Sequence, residues 1–257
     1  MILTLGPNSI HRILSGDQPS VNKLLDVPSY CQEELGLRGM TVPASLLAGW
    51  EGRDIDHLRD RADKSCCPCL LLMEEKPLPL ASSEGSSVDS ALDRIDRLLR
   101  AAHRLGSNSI AIFIDSPDND DAMNNAIAGC RAAMELAERL EINILVGSYE
   151  GLTQHPDRLT HLIKKSGGFR IGTYPDYLAA EQFGDSETYL RRLSPYSGSV
   201  NSSFVTGKED IAGMTRAVLG VGFAGAIGID YRGSLPVEKQ LKNARDVIQS
   251  VAAEVKG

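Results

Sequence analysis

Polar and charged side chains recur at the ends of short apolar runs in the second half of the sequence. Asp176, Asn201 and Asp230 each lie at or just after the end of a different run, and Arg232 follows two residues after Asp230. Carboxylates in such positions hold cations or move protons, whereas amide and guanidinium groups bind oxygen-rich or anionic ligands. The arrangement predicts a site for a small polar molecule, provided that the fold brings these ends together.

Eight short apolar runs, each but the last plainly followed by a helix-like stretch, predict such a fold. We expect an α/β protein, a single-domain (β/α)8 barrel (TIM barrel) over residues 1–257. In these barrels, binding and catalytic residues lie at the C-terminal ends of the strands. The first helix is expected from about Ser20 to Gly36, with Pro28 kinking or delaying it. The predicted strands are Ile2–Leu5, Leu37–Val42, Cys67–Met73, Ser109–Asp115, Ile142–Val146, Phe169–Gly172, Gly198–Phe204 and Gly225–Ile229.

The charge balance argues against several classes of partner. The 257 residues include 27 basic and 34 acidic ones, a formal net charge of −7 without basic runs, which disfavours nucleic acids and anionic membranes. No stretch approaches the roughly 18 apolar residues of a membrane helix, and the first residues lack the features of a secretion signal. We therefore expect a cytoplasmic protein without a membrane or nucleic-acid partner.

Five cysteines are present, and Cys66 and Cys69 have the CxxC spacing found in metal and redox sites. No second pair completes a zinc site, and the cluster leads directly into an apolar run. We therefore interpret these cysteines as small buried hydrophobic residues of a strand. A reducing cytoplasm fits this interpretation.

A series of motifs runs through the second half of the chain. They are Gly151-Leu152-Thr153, Pro156-Asp157-Arg158-Leu159, Gly172-Thr173-Tyr174-Pro175-Asp176, Pro195-Tyr196, and Gly222-Phe223-Ala224-Gly225 through Asp230-Tyr231-Arg232-Gly233. The series resembles that of the xylose isomerase-like barrels of the sugar phosphate isomerase/epimerase type, over about residues 85–257. The resemblance implies a TIM barrel that acts on a small polyhydroxylated substrate.

The resemblance also implies a divalent metal, held by two glutamates, an aspartate and a histidine from strands five to eight. The aspartate falls on Asp176, and the strand-eight glutamate falls on Asp230, which is one methylene shorter. The strand-five glutamate falls on Gly147, and the strand-seven histidine falls on Asn201 or Ser199. Asp176, Asp230 and the Asn201 carbonyl oxygen would then form a weak Mg²⁺ or Mn²⁺ site.

Proton transfer by two carboxylates is the chemistry that the resemblance implies. Asp230 is one candidate carrier, and Glu150, three residues past Gly147, is a replacement ligand or base. Each acid also has a simpler interpretation. Glu150 is then a solvated loop carboxylate, Asp230 pairs with Arg232, and Asp176 caps the helix that follows it.

The loops after strands seven and eight carry hydroxyl, amide and cationic groups, which suit a sugar phosphate or another polyhydroxylated ligand. We predict substrate contacts from Asn201, Ser203, Tyr231 and Arg232. The rings of Tyr174 and Tyr231 offer flat surfaces for a sugar face. Alternatively, Tyr231 packs at the rim of the barrel.

Two functions stay open at this point. The first is a sugar (phosphate) isomerase/epimerase-like protein with a divergent metal site. The second, favoured by Gly147 and Asn201 at ligand positions, is a non-catalytic relative that binds a carbohydrate-like ligand or a partner protein. The DNA-repair endonuclease branch of the same superfamily is not favoured, because its chemistry needs a histidine-rich metal cluster and a basic groove. Only His11, among five histidines, is placed to reach the barrel mouth, and a homo-oligomer is a further expectation.

Overall fold

Eight parallel strands form the inner layer of the fold. The structure, a computed structural model, describes residues 1–16 and 21–256 of the chain. The strands are β1 (Ile2–Leu5), β2 (Met40–Pro43), β3 (Cys69–Met73), β4 (Ser109–Ile112), β5 (Asn143–Gly147), β6 (Ile171–Tyr174), β7 (Ser199–Phe204) and β8 (Ala226–Tyr231). They pair in the order β6-β5-β4-β3-β2-β1-β8-β7, so that each lies beside a neighbour in sequence and β8 lies beside β1.

Ten α-helices within the described residues cover the outside of the strands. They are α1 (Pro7–Ser15), α2 (Val27–Glu33), α3 (Gly52–Lys64), α4 (Gly85–Leu105), α5 (Asp120–Glu138), α6 (Pro156–Ser166), α7 (Tyr177–Phe183), α8 (Ser186–Leu193), α9 (Ile211–Leu219) and α10 (Val237–Lys256). The longest, α4, buries Ile95, Leu98 and Leu105 because its apolar residues recur every three or four positions. None of these helices has both the length and the apolar composition to cross a membrane.

Side chains alternate between two environments along β8. Ile227, Ile229 and Tyr231 belong to the large hydrophobic core of the protein. Gly228 and Asp230 point the other way, because successive strand residues face opposite sides of a sheet. A smaller, separate apolar cluster contains Leu71, Met73, Ala111, Leu145 and Tyr174.

The barrel closes at a narrow seam between β6 and β7. Within the described chain these strands share no ladder, and they are joined by a parallel bridge between Asp176 and Asn201. The Asn201 backbone amide donates to the Pro175 carbonyl at 2.8 Å. Further along the seam, the Thr173 hydroxyl donates to the Leu193 carbonyl at 2.8 Å. Two of the residues that the sequence singles out therefore lie where the ring closes.

The predicted fold class, an α/β protein with a (β/α)8 barrel, is confirmed, and every predicted strand is present, β1 with the predicted bounds and the others with somewhat different ones. The segment after β1 differs from the prediction. The expected helix start, Ser20, lies outside the described residues, while α1 already begins at Pro7 and α2 covers only Val27–Glu33. Pro7 and Pro28 lie in the first turns of these helices, where a missing N–H costs no hydrogen bond.

The cysteine cluster is mostly buried. Cys67 and Cys69 are buried, and Cys69 lies in β3, as the sequence predicts. Cys66 corrects the prediction, because it is exposed and lies in a turn before the strand, with a φ of +50°. Burial raises the pKa of the Cys69 thiol well above its ordinary value, which keeps it a neutral, packed side chain.

Candidate functional site

A cavity of about 310 Å³ opens at the C-terminal ends of the strands, and we call it the mouth cavity. Its wall combines amide, carboxylate, guanidinium and hydroxyl groups with a few apolar side chains. The amide and charged members are Asn8, Gln182, Asn201, Glu75, Asp176 and Arg232. This is the face of the barrel where the fold class places binding and catalysis.

Asp176 follows β6 and caps α7. Its Oδ1 accepts a hydrogen bond from the Ala179 backbone amide at 3.1 Å, which satisfies a free N–H in the first helical turn. The same oxygen accepts the Ser203 hydroxyl at 2.6 Å, and Oδ2 accepts Asn201 Nδ2 at 2.8 Å. The helix-cap role of Asp176 is confirmed, and the same carboxylate lines the mouth cavity.

Asp230 is fully buried near the end of β8. Its Oδ2 accepts hydrogen bonds from Asn8 Nδ2 at 2.9 Å, Arg232 Nε at 3.1 Å and Asn201 Nδ2 at 3.2 Å. Its Oδ1 accepts the Ser9 backbone amide at 3.1 Å. Because Ser9 lies in the first turn of α1, the positive end of that helix also stabilises the carboxylate charge.

Arg232 joins the two aspartates. Its Nη2 donates to Asp176 Oδ2 at 2.7 Å, and its Nε donates to Asp230 Oδ2 at 3.1 Å. Burial disfavours the positive charge, but the two carboxylates outweigh it and raise the pKa of the guanidinium above its ordinary value. The ion pair between Asp230 and Arg232, offered by the sequence as the simpler interpretation, is therefore present.

Asn201 completes this network from β7. The amide orientation follows from its partners, because an oxygen in place of Nδ2 would face two carboxylates. Its Oδ1 is buried and has no hydrogen-bond partner within the described residues, and the hydroxyl of Tyr174 is also buried, with the Thr41 side chain as a hydrogen-bonding neighbour. Burial, together with the charges of the two aspartates, raises the pKa of the Tyr174 hydroxyl, so that it stays a neutral donor.

A second polar cluster borders the same cavity. His11 Nε2 and Glu75 Oε1 lie 2.8 Å apart, and the Ser45 backbone amide donates to Glu75 Oε2 at 3.2 Å. The sequence predicts that His11 can reach the barrel mouth, but Glu75 is not among the predicted site residues. The missed signal is positional, since Glu75 follows the last residue of β3 by two positions, as Asp176 follows β6.

These residues do not fit the divalent metal that the resemblance implies. Among the described residues, no group of three or more His, Cys, Asp or Glu side chains is placed to hold a metal ion. Arg232 bonds to both aspartates, and Asn201 presents Nδ2 rather than its oxygen to them, an orientation that does not favour its predicted role as an oxygen ligand, which stays a prediction. At Gly147 a glutamate has no room, because even a Cβ would collide with the Phe113 ring.

Three other predicted residues are not in the wall of the mouth cavity. Ser203 is buried, and it donates to Asp176 while accepting from the Leu178 amide at 3.1 Å. Tyr231 packs in the hydrophobic core, where its hydroxyl accepts from the Leu235 amide at 2.8 Å, which corrects its predicted contact with substrate. Glu150 is exposed on the loop after β5, so its predicted catalytic role stays a prediction.

The loop after β7 does not favour the predicted phosphate contact. Glu209 accepts the backbone amides of Val205 and Thr206, each at 2.8 Å, and the Thr206 hydroxyl at 3.0 Å. Although burial opposes its charge, these hydrogen bonds lower the pKa of Glu209 to about 2. A phosphate on this loop would meet a carboxylate that is ionised at neutral pH.

Taken together, the strands and the mouth cavity define a TIM barrel with a polar site at its C-terminal face. The fold is similar to that of D-psicose 3-epimerase from Clostridium cellulolyticum H10, solved with D-tagatose, with a TM-score of 0.80, 13% identity, and coverage of 98% of this chain and 99% of the other. It is similar to a xylose isomerase domain protein from Alicyclobacillus acidocaldarius, with a TM-score of 0.74, 17% identity and 100% coverage of both chains.

A third similar structure is the IolI protein with a bound zinc atom, with a TM-score of 0.76, 10% identity and 99% coverage of both chains. No family model matches the sequence, and no curated protein matches it either. The structural likenesses confirm that this chain has the xylose isomerase-like barrel fold that the sequence motifs resemble.

Proposed function

We propose that this chain binds a small polyhydroxylated, carbohydrate-like molecule in the mouth cavity. The observation that carries the proposal is a polar wall that contains an unpaired group, Asn201 Oδ1, and the buried hydroxyl of Tyr174. A buried polar group without a partner costs about 1–3 kcal/mol, and a ligand hydroxyl can donate to Asn201 Oδ1 and accept from the Tyr174 hydroxyl. The cavity volume of about 310 Å³ lies within the range of small-molecule sites.

The proposal does not include the metal-dependent proton transfer that the resemblance implies. Asp176 and Asp230 are both bonded to Arg232 and Asn201, and Asp230 is fully buried. Neither carboxylate is therefore free to bind a metal or to remove a proton from a sugar carbon. The similar fold of D-psicose 3-epimerase supports a carbohydrate as the class of ligand.

Tyr174→Phe tests the binding proposal. We expect ligand affinity to fall about tenfold, because about 1.4 kcal/mol of hydrogen bonding is lost. The free energy of unfolding of the ligand-free protein should change by no more than about 1.5 kcal/mol, because the hydroxyl can lose at most one hydrogen bond there, to Thr41. Calorimetric titration with pentoses, hexoses and polyols measures the first quantity, and urea unfolding measures the second.

Tyr177→Phe is the matched control. Its hydroxyl is buried and lies 3.1 Å from Thr215 Oγ1, and Tyr177 does not line the mouth cavity. This variant should lose about 0.5–1.5 kcal/mol of stability and keep full ligand affinity. Equal affinity in both variants would place the ligand elsewhere, and a panel without any binder would remove the carbohydrate assignment.

An isomerase-type activity without a metal is a second candidate, favoured by the contact between His11 and Glu75. Unlike the two aspartates, Glu75 has no Arg or Lys partner within the described residues. Its carboxylate can take the proton from the carbon beside a ligand carbonyl, while the electron pair moves to the carbonyl oxygen. Arg232 lines the same cavity and offers positive charge to that oxygen. The hydroxyl proton of the deprotonated carbon then passes to the former carbonyl oxygen, and Glu75 returns its proton to the former carbonyl carbon.

Proton exchange in D₂O tests this second candidate, with D-fructose and D-tagatose as probes and NMR as the detector. Glu75→Gln keeps the shape of the side chain but removes the base, and it should lower deuterium uptake by about 10²–10⁴-fold. Glu150→Gln is the comparison, because Glu150 is the base predicted from the sequence. The reverse pattern would favour Glu150, and no uptake by the wild-type protein would reject catalysis while leaving binding in place.

A further inference from the structure

The guanidinium of Arg232 bonds to both acids that the resemblance assigns to a metal. Nη2 lies 2.7 Å from Asp176 Oδ2, and Nε lies 3.1 Å from Asp230 Oδ2. Asn201 Nδ2 donates to the same two oxygens, at 2.8 and 3.2 Å. One cationic group and one amide therefore converge on one oxygen of each carboxylate.

Three separate features replace the implied ligand set. Gly147 removes one acid, and the Phe113 ring fills the space beside it. Asn201 is a hydrogen-bond donor to the carboxylates where a histidine would be a ligand to the metal. Arg232 adds a positive charge, which repels any second cation at the same oxygens. Each change is unfavourable for a metal, and Arg232 and Asn201 together pair one oxygen of each carboxylate with donors of the protein.

We propose that Arg232 is the resident cation of this site and that its guanidinium replaces a divalent ion. Arg232 directly follows β8 and lies two positions beyond its partner Asp230, so the two acids are neutralised in part whenever the protein is folded. The site is then independent of metal supply. With two carboxylates and one guanidinium, the cluster keeps a formal charge of −1 − 1 + 1 = −1.

The third nitrogen of the guanidinium extends this role to the ligand. Nη1 has no hydrogen-bond partner within the described residues, and the Arg232 side chain is 35% exposed while it lines the mouth cavity. Nη1 is therefore the group that presents positive charge to a carbonyl or hydroxyl oxygen of the ligand. This last step rests on the proposed function, whereas the replacement of the metal does not.

The test compares wild-type protein, Arg232→Met and the control Arg12→Met. Arg12 donates only to the carbonyls of Gly233 and Leu235 and pairs with no carboxylate in the described chain. Wild type and Arg12→Met should show no Mn²⁺ binding by calorimetry and no change in unfolding temperature with Mn²⁺ or EDTA. Arg232→Met should be destabilised at pH 7 and should regain unfolding temperature when Mn²⁺ is added.

A variant that keeps the positive charge gives a second readout. Arg232→Lys keeps the charge, and it should fold and remain without Mn²⁺ binding.

Several results would overturn the proposal. Stoichiometric Mn²⁺ binding by the wild-type protein, lost in Asp176→Ala, would show that the acids hold a metal despite Arg232. If Arg232→Met does not fold, Arg232→Lys replaces it in this test. Mn²⁺ binding by Arg232→Lys that is lost when Asp176 is also replaced would show that the acids hold a metal despite a cationic side chain. An Arg232→Met protein that is as stable as the wild type and does not respond to Mn²⁺ would show that no cation is needed. None of these measurements uses a carbohydrate, so a failure of the proposal that Arg232 replaces a metal can be distinguished from a failure of the proposal that the mouth cavity binds a carbohydrate.

Discussion

Asp230→Ala is expected to lower the free energy of unfolding by about 3–5 kcal/mol, the range for loss of one partner of a buried ion pair. The carboxylate accepts hydrogen bonds from Asn8, Ser9, Asn201 and Arg232, and all four donors would lose an acceptor. A water molecule can occupy the space of the side chain but brings no negative charge. Urea unfolding at pH 7 measures the difference.

Two further variants serve as comparisons for the stability loss expected of Asp230→Ala. Asp89→Ala removes an exposed aspartate of α4 and should change stability by less than about 0.5 kcal/mol. Asp230→Asn keeps the volume and one accepting oxygen but loses the charge, so its stability should fall between the two. A cost below about 1 kcal/mol for Asp230→Ala would mean that the four hydrogen bonds contribute little to holding the β8 end in place.

Gly147→Ala is expected to cost about 1–3 kcal/mol, the usual price of overpacking. Gly147 ends β5, and a Cβ at this position would collide with two ring atoms of Phe113. The backbone of Gly147 is not in the left-handed region, so the loss of stability comes from the contact with the Phe113 ring and not from strained backbone dihedral angles. The same collision explains why a glutamate cannot be restored here by a single substitution.

Phe113→Ala supplies the decisive comparison for Gly147→Ala. If the ring is the cause, the double variant Gly147→Ala with Phe113→Ala should show a coupling energy of about 0.5–3 kcal/mol in a double-mutant cycle. Gly198→Ala is the control for the glycine itself, because nothing lies within 4 Å of its added Cβ. Purely additive effects of Gly147→Ala and Phe113→Ala would contradict the steric explanation.

Barrel closure and the geometry of the mouth cavity are linked in this protein because the same side chains contribute to both. The bridge between Asp176 and Asn201 joins β6 to β7, and both residues also line the mouth cavity. A variant at either position changes barrel closure and site geometry together. For this reason Tyr174 and Glu75, which take no part in the bridge, are the more informative positions for binding and catalysis.

The order of the strands and the position of the main cluster could be predicted from the sequence alone. Short apolar runs and helical periodicity are local patterns, and parallel strands of a barrel all end at one face. Those two rules are enough to predict that Asp176, Asn201, Asp230 and Arg232 come together. They also allow a helix cap at Asp176 and an ion pair between Asp230 and Arg232.

Only the tertiary structure decided what these groups do to one another. The sequence allows Asn201 to present either its oxygen or its nitrogen, and the choice depends on two carboxylates from other strands. Glu75 and His11 are 64 positions apart, so no local pattern reports their contact. The space at Gly147 depends likewise on a ring from the neighbouring strand segment. Hydrogen-bond direction and steric fit are properties of groups in contact, and folding alone brings these groups into contact.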